Sequence, residues 1–254
     1  MNFDISHLLD QWAYQPGQVV VRRFIGRDGV EKIQLRLDLG LLQMNAHGRP
    51  DGKRPFGHPS LLDYFISKQA QQAGSGAGEG EFVLKADDCA RLQLEALQYH
   101  HRCVCLLQLE DYAAVVRDTS RNLKLFDFAV EHADSDELAW SLDQFRPQTL
   151  LLQSRARATQ ALAVNDFDNA IGDIEGTLDK LREFYRDHAR DDLLEQSAEI
   201  QTLEHWLAEV KSKRPLTRRE QLESDLREAV RREDYEEAAR VRDQLRNLNS
   251  PGDE

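Results

Sequence analysis

One stretch of the chain gathers side chains with the chemistry of metal ligands: "YHHRCVC" at 99–105, which holds His100, His101, Cys103 and Cys105. The apolar periodicity around it predicts a helix. On a helix His101 and Cys105 share a face while Cys103 points elsewhere. A structural zinc takes four ligands, so two converging groups are too few, and the cysteines read as small core residues. Carboxylates such as Asp111, Asp118, Glu131 and Asp134 are numerous, yet helix caps and solvated faces account for them without acid–base catalysis. The chain has no nucleophile elbow, dinucleotide fingerprint or HExxH pair. "GSGAGEGE" at 74–81 lacks the Gly-Lys-Ser/Thr ending of a phosphate-cradling loop and has the composition of a flexible linker. The expectation is no metal, no cofactor and no enzymatic activity.

Binding chemistry is the other possibility. Two basic runs offer phosphate contacts: "GRPDGKR" with Arg49, Lys53 and Arg54, and "KSKRPLTRR" with Lys211, Lys213 and Arg214. Against them stand 45 Asp and Glu to 33 Lys and Arg, a net charge of -12 that repels polyphosphate, so the balance argues against nucleic acid as the main partner. Lys211 and Lys213 also suit a helix C-terminus, where they complement the dipole.

These groups need elements to position them. A charged fraction of 31% suits a chain with much solvated surface. No apolar run approaches the roughly 20 residues that cross a bilayer, and Asp4 and Asp10 sit where a leader peptide carries basic residues. With three cysteines that form neither an even set nor a CxxC pair, the expectation is a cytoplasmic protein that does not enter membranes.

The overall reading is α+β, mostly α. Residues 1–73 form a strand-rich module, 74–86 a Gly/Ser linker, 87–210 a helical repeat-like domain and 216–250 a C-terminal helical hairpin. In the first module Ile33, Leu35, Leu37, Leu39 and Leu41 alternate with polar residues as one half-buried strand. Val19, Val21 and Ile25 supply its partner, and "GRDG" the turn between them. Residues 45–59, rich in Gly and Pro, read either as a binding loop or as an ordered connection whose turns need those residues. Ser60 caps a helix in "SLLDYFISKQAQQA".

From Asp87 the period changes to three and four, through Leu92, Ala96, Tyr99, Cys103 and Leu106, then Tyr112, Val115, Thr119, Leu123, Phe126 and Val130. Asp111 followed by Tyr112, Asp166 by Phe167 and Asp234 by Tyr235 mark three helix–helix joints of one design. They are spaced 55 and 68 residues apart, so they are no fixed-period array. Residues 147–185 resemble a degenerate tetratricopeptide hairpin through Ala158, Phe167 and Ala170, departing at Ala161, where that family carries a large aromatic. The resemblance implies stacked helices with a concave face for a partner segment; a plain bundle without a groove fits the same pattern. Pro147 starts one helix, and Leu193, Ile200, Leu203 and Leu207 line a last one, against whose core Trp206 packs and which Pro215 ends.

"LTRREQLESDLREAVRREDYEEAARVRDQLRNL" follows. Thr217 with Glu220 and Asp234 with Glu237 fit capping boxes. This stretch resembles the UVR motif, the helical hairpin shared by the excision-repair subunits UvrB and UvrC and by the McsA and ClpC proteins of bacterial protein quality control. The resemblance covers 216–248 and is most specific in "DYEEAARVRDQL". In those families the hairpin docks another protein. Here that implies contacts through Leu222, Leu226, Tyr235, Ala238, Ala239 and Arg242, with either a different protein or a second copy of the chain. A hairpin that only completes the protein's own core is the competing reading. The front of the chain, "WAYQPGQVVVRRF" with "IQLRLDLGLLQM" and "GRPDG", is similar to bacterial proteins that end in the same motif. The function expected is a non-enzymatic adaptor that docks a partner through the hairpin, in protein quality control or stress response. The alternative is an accessory of excision repair using the basic runs on nucleic acid.

Overall fold

The computed structural model describes residues 4–75, 82–188 and 190–248. The chain divides into two compact units, Met1–Leu207 and Ala208–Glu254.

The first unit opens with a short helix, α1 (Ser6–Asp10), and an antiparallel sheet of β1 (Val20–Ile25), β2 (Glu31–Leu37) and β3 (Gly40–Asn45) in that order. The Asp-Gly turn forms as expected, with the Gly26 amide donating to the Val30 carbonyl at 2.8 Å and Gly29 at φ 74°. The single strand expected through Leu41 does not form. It breaks at Asp38–Leu39, Leu37 pairs with Gly40, and Leu39 is 91% exposed. Turn chemistry at Asp38 and Gly40 wins over alternation. The Arg36 guanidinium helps it, donating to the carbonyls of Leu37, Asp38 and Gly40.

Ile33 and Met44, paired across β2 and β3, face a core with Cys105, Leu106, Val115 and Ala156. On the opposite side Gln34 takes a hydrogen bond from Arg22 Nε at 2.7 Å and gives one to Gln43 Oε1 at 2.8 Å. The 45–59 segment is an ordered connection. Gly48, Gly52 and Gly57 take positive φ, the Gly52 amide closes onto the Arg49 carbonyl at 2.9 Å, and Phe56 stacks on Tyr64.

Among the described residues these helices follow: α2 (Leu61–Ser75), α3 (Ala86–Gln108), α4 (Tyr112–His132), α5 (Asp136–Asp143), α6 (Arg146–Ala163), α7 (Phe167–Asp187), α8 (Asp191–Leu194) and α9 (Ala198–Lys213), within which the division after Leu207 falls. Ser60 caps α2, its Oγ accepting from the Asp63 amide. Leu61, Leu62 and Phe65 of α2 share one core with Leu92, Leu125 and Phe126, so residues on both sides of the Gly/Ser stretch pack together. Residues 76–81 of that stretch lie outside the described residues, whereas Phe82 and Leu84 are part of the same core. Pro147 sits in the first turn of α6. The single helix expected through Leu193, Ile200, Leu203 and Leu207 is interrupted: α8 stops at Leu194 and Ser197 starts α9 afresh, its Oγ accepting from the Ile200 amide. A serine competes for backbone donors and favours a cap over a helix interior.

The three joints are built alike. Glu110, Asn165 and Glu233 sit at φ 57°, 59° and 60°, and the amides of the next residues, Asp111, Asp166 and Asp234, each bond a carbonyl five back, of Leu106, Ala161 and Ala229, at 2.9 Å. This is the left-handed C-terminal closure of a helix. The same aspartates then cap the next helix, accepting from the amides of Ala114, Asn169 and Glu237.

The second unit holds α10 (Arg218–Arg231) and α11 (Tyr235–Leu248). The Thr217–Glu220 capping box is complete, with the Thr217 amide donating to Glu220 Oε2 at 2.8 Å and the Glu220 amide to Thr217 Oγ1 at 3.2 Å. At Asp234 the cap is one-sided, because its amide is already spent on Ala229 and Glu237 pairs with Arg240.

Candidate docking surface and buried charged groups

Within the hairpin of α10 and α11, Leu222, Ala229, Ala238 and Val241 are buried. Small residues at Ala229 and Ala238 let the helix backbones come close. Of the six residues that the resemblance marks for contact, Leu222 and Ala238 therefore belong to the inner seam. Leu226 and Ala239 are half-buried at its edge. Tyr235 and Arg242 face outward, Tyr235 at 71% exposure and Arg242 paired with Asp243 at 3.0 Å. Two apolar residues outside that set, Val230 and Leu248, are also more than half exposed. The outer surface thus carries unpartnered apolar groups, which a hairpin of this size cannot bury by itself.

Charges frame that surface. Glu228 pairs with Arg231 and Arg232, Arg219 with Glu223 and Arg240 with Glu237. Such solvent-exposed pairs are screened and contribute little to stability. Backbone and side-chain hydrogen bonds from Thr217, with Arg214 beside it, hold the Glu220 carboxyl below its ordinary range.

The basic residues expected to meet phosphates fall in separate units. Lys211, Lys213 and Arg214 belong to the second unit, where Arg214 pairs with Glu220. In the first, Lys53 is exposed and Arg54 reaches only the Gly57 carbonyl, whereas Arg49 turns inward, its Nε 3.2 Å from Asp51 and 3.2 Å from Glu95. Arg49 is withdrawn from solvent because the buried Glu95 needs its charge.

The "YHHRCVC" stretch lies on α3 as expected. Cys89, Cys103 and Cys105 are all buried free thiols. Burial pushes the Cys103 thiol far up and the Cys105 thiol up to about 12, so neither forms a thiolate near neutrality. Burial, and for His100 also the neighbouring His101, lowers both imidazoles' affinity for protons. Among the described residues no three His, Cys, Asp or Glu side chains come together as a metal site.

A buried charge network went unread in the sequence. Glu95, fully buried on α3, accepts from the Leu61 and Leu62 amides at 2.8 and 3.2 Å and so caps the N-terminus of α2; Arg121 of α4 pairs with it. Two turns along α3, Arg102 binds Asp118 with two hydrogen bonds, of 2.6 and 2.9 Å, and its Nη1 donates to the carbonyls of Asn45 at 2.9 Å and Gly48 at 2.8 Å. The Tyr99 ring lies between the two guanidiniums, 4.9 Å from Arg102 and 4.2 Å from Arg121. A signal did exist: Glu95 and Arg102 share the helical face of Leu92, Tyr99 and Leu106, where a charge needs a buried partner. The network staples the 45–59 connection to the helices; its charges are paired and serve structure.

The C-terminal unit is a capped helical hairpin with an exposed apolar outer surface, and residues 217–250 match the family model described as the UvrB/uvrC motif. The chain therefore carries a UVR motif, an interaction module of excision-repair proteins. The match is confined to this segment. Comparison with curated proteins and with solved structures gives no match. The tetratricopeptide likeness of residues 147–185 thus rests on residues alone: Ala158 and Ala170 are buried in the α6–α7 hairpin.

Proposed function

We propose that the protein is a non-enzymatic adaptor whose C-terminal hairpin docks a partner protein. The observation that carries this reading is the UVR match on a hairpin that leaves Tyr235, Val230 and Leu248 exposed after closing its own seam. A tyrosine projecting from a rigid helix is well suited to anchor an interface, since it brings large area at low entropic cost. The first unit, with its own core, then serves to recognise what is delivered to that partner. Protein quality control or stress response is the setting we favour. The paired states of Arg49 and Arg214 weigh against a role resting on phosphate contacts.

The test is affinity capture from nuclease-treated lysate with three forms of the full chain: wild type, Tyr235→Glu and Ala238→Asp. Tyr235→Glu alters only an exposed ring, whereas Ala238→Asp inserts a charge into the seam and opens the hairpin. A protein retained by wild type and lost from both variants supports the adaptor reading. Capture of one and the same set by all three forms refutes it, because the hairpin would then have no part in binding.

A further inference from the structure

Two of the clefts in the first unit have opposite chemistry. The larger, about 590 Å³, is lined by Asp127, Asp143, Arg146, Lys180, Glu183 and His188, among others. Its central charges are spent on one another. Arg146 lies 2.8 Å from Asp127 and 2.6 Å from Asp143, and His188 lies 3.6 Å from Asp143 while its Nδ1 bonds the Phe184 carbonyl.

The second cleft, about 380 Å³, lies between α3, α4 and the start of α6 and has no such occupation. Its floor is Ala96, Phe126, Asn122 and Thr149, all buried. Its walls include Leu94, Leu97 and Phe145, which are 63%, 47% and 41% exposed. The floor's polar atoms are already satisfied: Asn122 Nδ2 donates to the Ala96 carbonyl, Asn122 Oδ1 accepts from Arg121, and Thr149 Oγ1 donates to the Phe145 carbonyl. His100, Gln148 and Gln93 are the remaining polar residues of the lining, and Gln93 Nε2 donates to the Ser141 carbonyl at 3.3 Å, which leaves the His100 and Gln148 side chains to meet a ligand. In a chain where 31% of residues are charged, no lining residue of this cleft carries a formal charge at neutral pH, since burial keeps the His100 imidazole unprotonated.

We propose that this cleft is a binding site for an uncharged, largely apolar small molecule bearing a polar atom that meets His100 or Gln148. The volume is that of small-molecule pockets, which run to roughly 300–1,000 Å³ and pair apolar walls with a few polar groups. Charge complementarity selects the class. An ionised ligand would lose its hydration with no counter-charge to receive it, and an anion would also meet the chain's net charge of -12. The site lies wholly in the first unit and is independent of the hairpin's role.

Nile red, an uncharged fluorescent aromatic, is the probe. The full chain is titrated alongside Leu94→Glu, Phe145→Ala and, as a control, Leu39→Glu, with circular dichroism to verify folding. The expected result is saturable binding of one dye per chain, weakened at least about tenfold in Leu94→Glu and unchanged in Leu39→Glu. The anionic dye anilinonaphthalene sulfonate should bind more weakly than Nile red. Absence of saturable binding, equal affinity in wild type and Leu94→Glu, or tighter binding of the anionic dye would each overturn the proposal. So would sedimentation showing a dimer for wild type and a monomer for Leu94→Glu, which would make the cleft a contact between copies.

Discussion

Replacing Arg102 by methionine tests whether the buried charges hold the first unit together. The guanidinium is 1% exposed and makes four hydrogen bonds, two to Asp118 and two to the carbonyls of Asn45 and Gly48. Methionine keeps an unbranched apolar stem in place of the arginine's and removes all four. Stranding one partner of a buried pair costs about 3–5 kcal/mol. Arg117 Nε remains 2.9 Å from Asp118 Oδ1 and supplies partial relief, so the lower end, about 3 kcal/mol, is expected. For a unit of this size that lowers the melting temperature by about 6–12 °C. Urea unfolding followed by circular dichroism and by tryptophan fluorescence measures it. The double variant Arg102→Met/Asp118→Leu removes the stranded charge and should recover about 1.5 kcal/mol or more, while staying below wild type because the two loop carbonyls remain unpaired. A loss under about 1 kcal/mol in the single variant, or a double variant no more stable than the single, would show that the pair contributes little and that this account of the network is wrong.

Three further outcomes are expected. The three cysteines, all buried, should be silent to a thiol reagent in the native protein at pH 8 and all react once it is unfolded; rapid labelling of the native protein would contradict the packing of α3. The Glu220 carboxyl is held below its unfolded value near 4.5 by hydrogen bonds to Thr217. Its contribution is therefore present above that value and lost as pH falls through the lower folded one, so in acid titrations wild type should lose helix that Glu220→Gln already lacks at neutral pH. Glu233, at φ 60°, occupies a conformation that glycine adopts without penalty. Glu233→Gly should stabilise the hairpin by about 0.5–1 kcal/mol after glycine's greater freedom in the unfolded chain is set against the relief, measured as its thermal midpoint.

Much of the helical architecture was legible because its signals are local. Leu92, Ala96, Tyr99, Cys103 and Leu106 recur at helical spacing and are all buried, and Ser60, Asp111, Asp166 and Thr217 cap where their positions imply. Two boundaries were misread where a local competitor beat the pattern. Asp38 and Gly40 turned an alternating run into two strands, and Ser197 divided one apolar stripe into two helices. The charged network was hidden for another reason. Glu95 and Arg121 are ordinary surface residue types, and the burial that pairs them involves segments 26 residues apart on one side and 34 on the other. The C-terminal hairpin was legible as a motif, but which of its residues face outward was not: Ala238 and Leu222 close the hairpin's own seam, and the exposure of Val230 follows only from how the two helices turn toward each other.

The three joints share their geometry, but the helices they connect do not share their lengths. The arms run to 23 and 21 residues at the first joint, 18 and 21 at the second, and 14 and 14 at the third. What recurs in this chain is a corner and not a repeat unit. Each corner is closed by hydrogen bonds within a few residues of itself, so an arm can be lengthened or trimmed at its far end without disturbing the reversal. Architecture of this kind can grow by insertion away from its bends, which is how a single turn design comes to serve long helices inside a large core and a short pair that stands on its own seam.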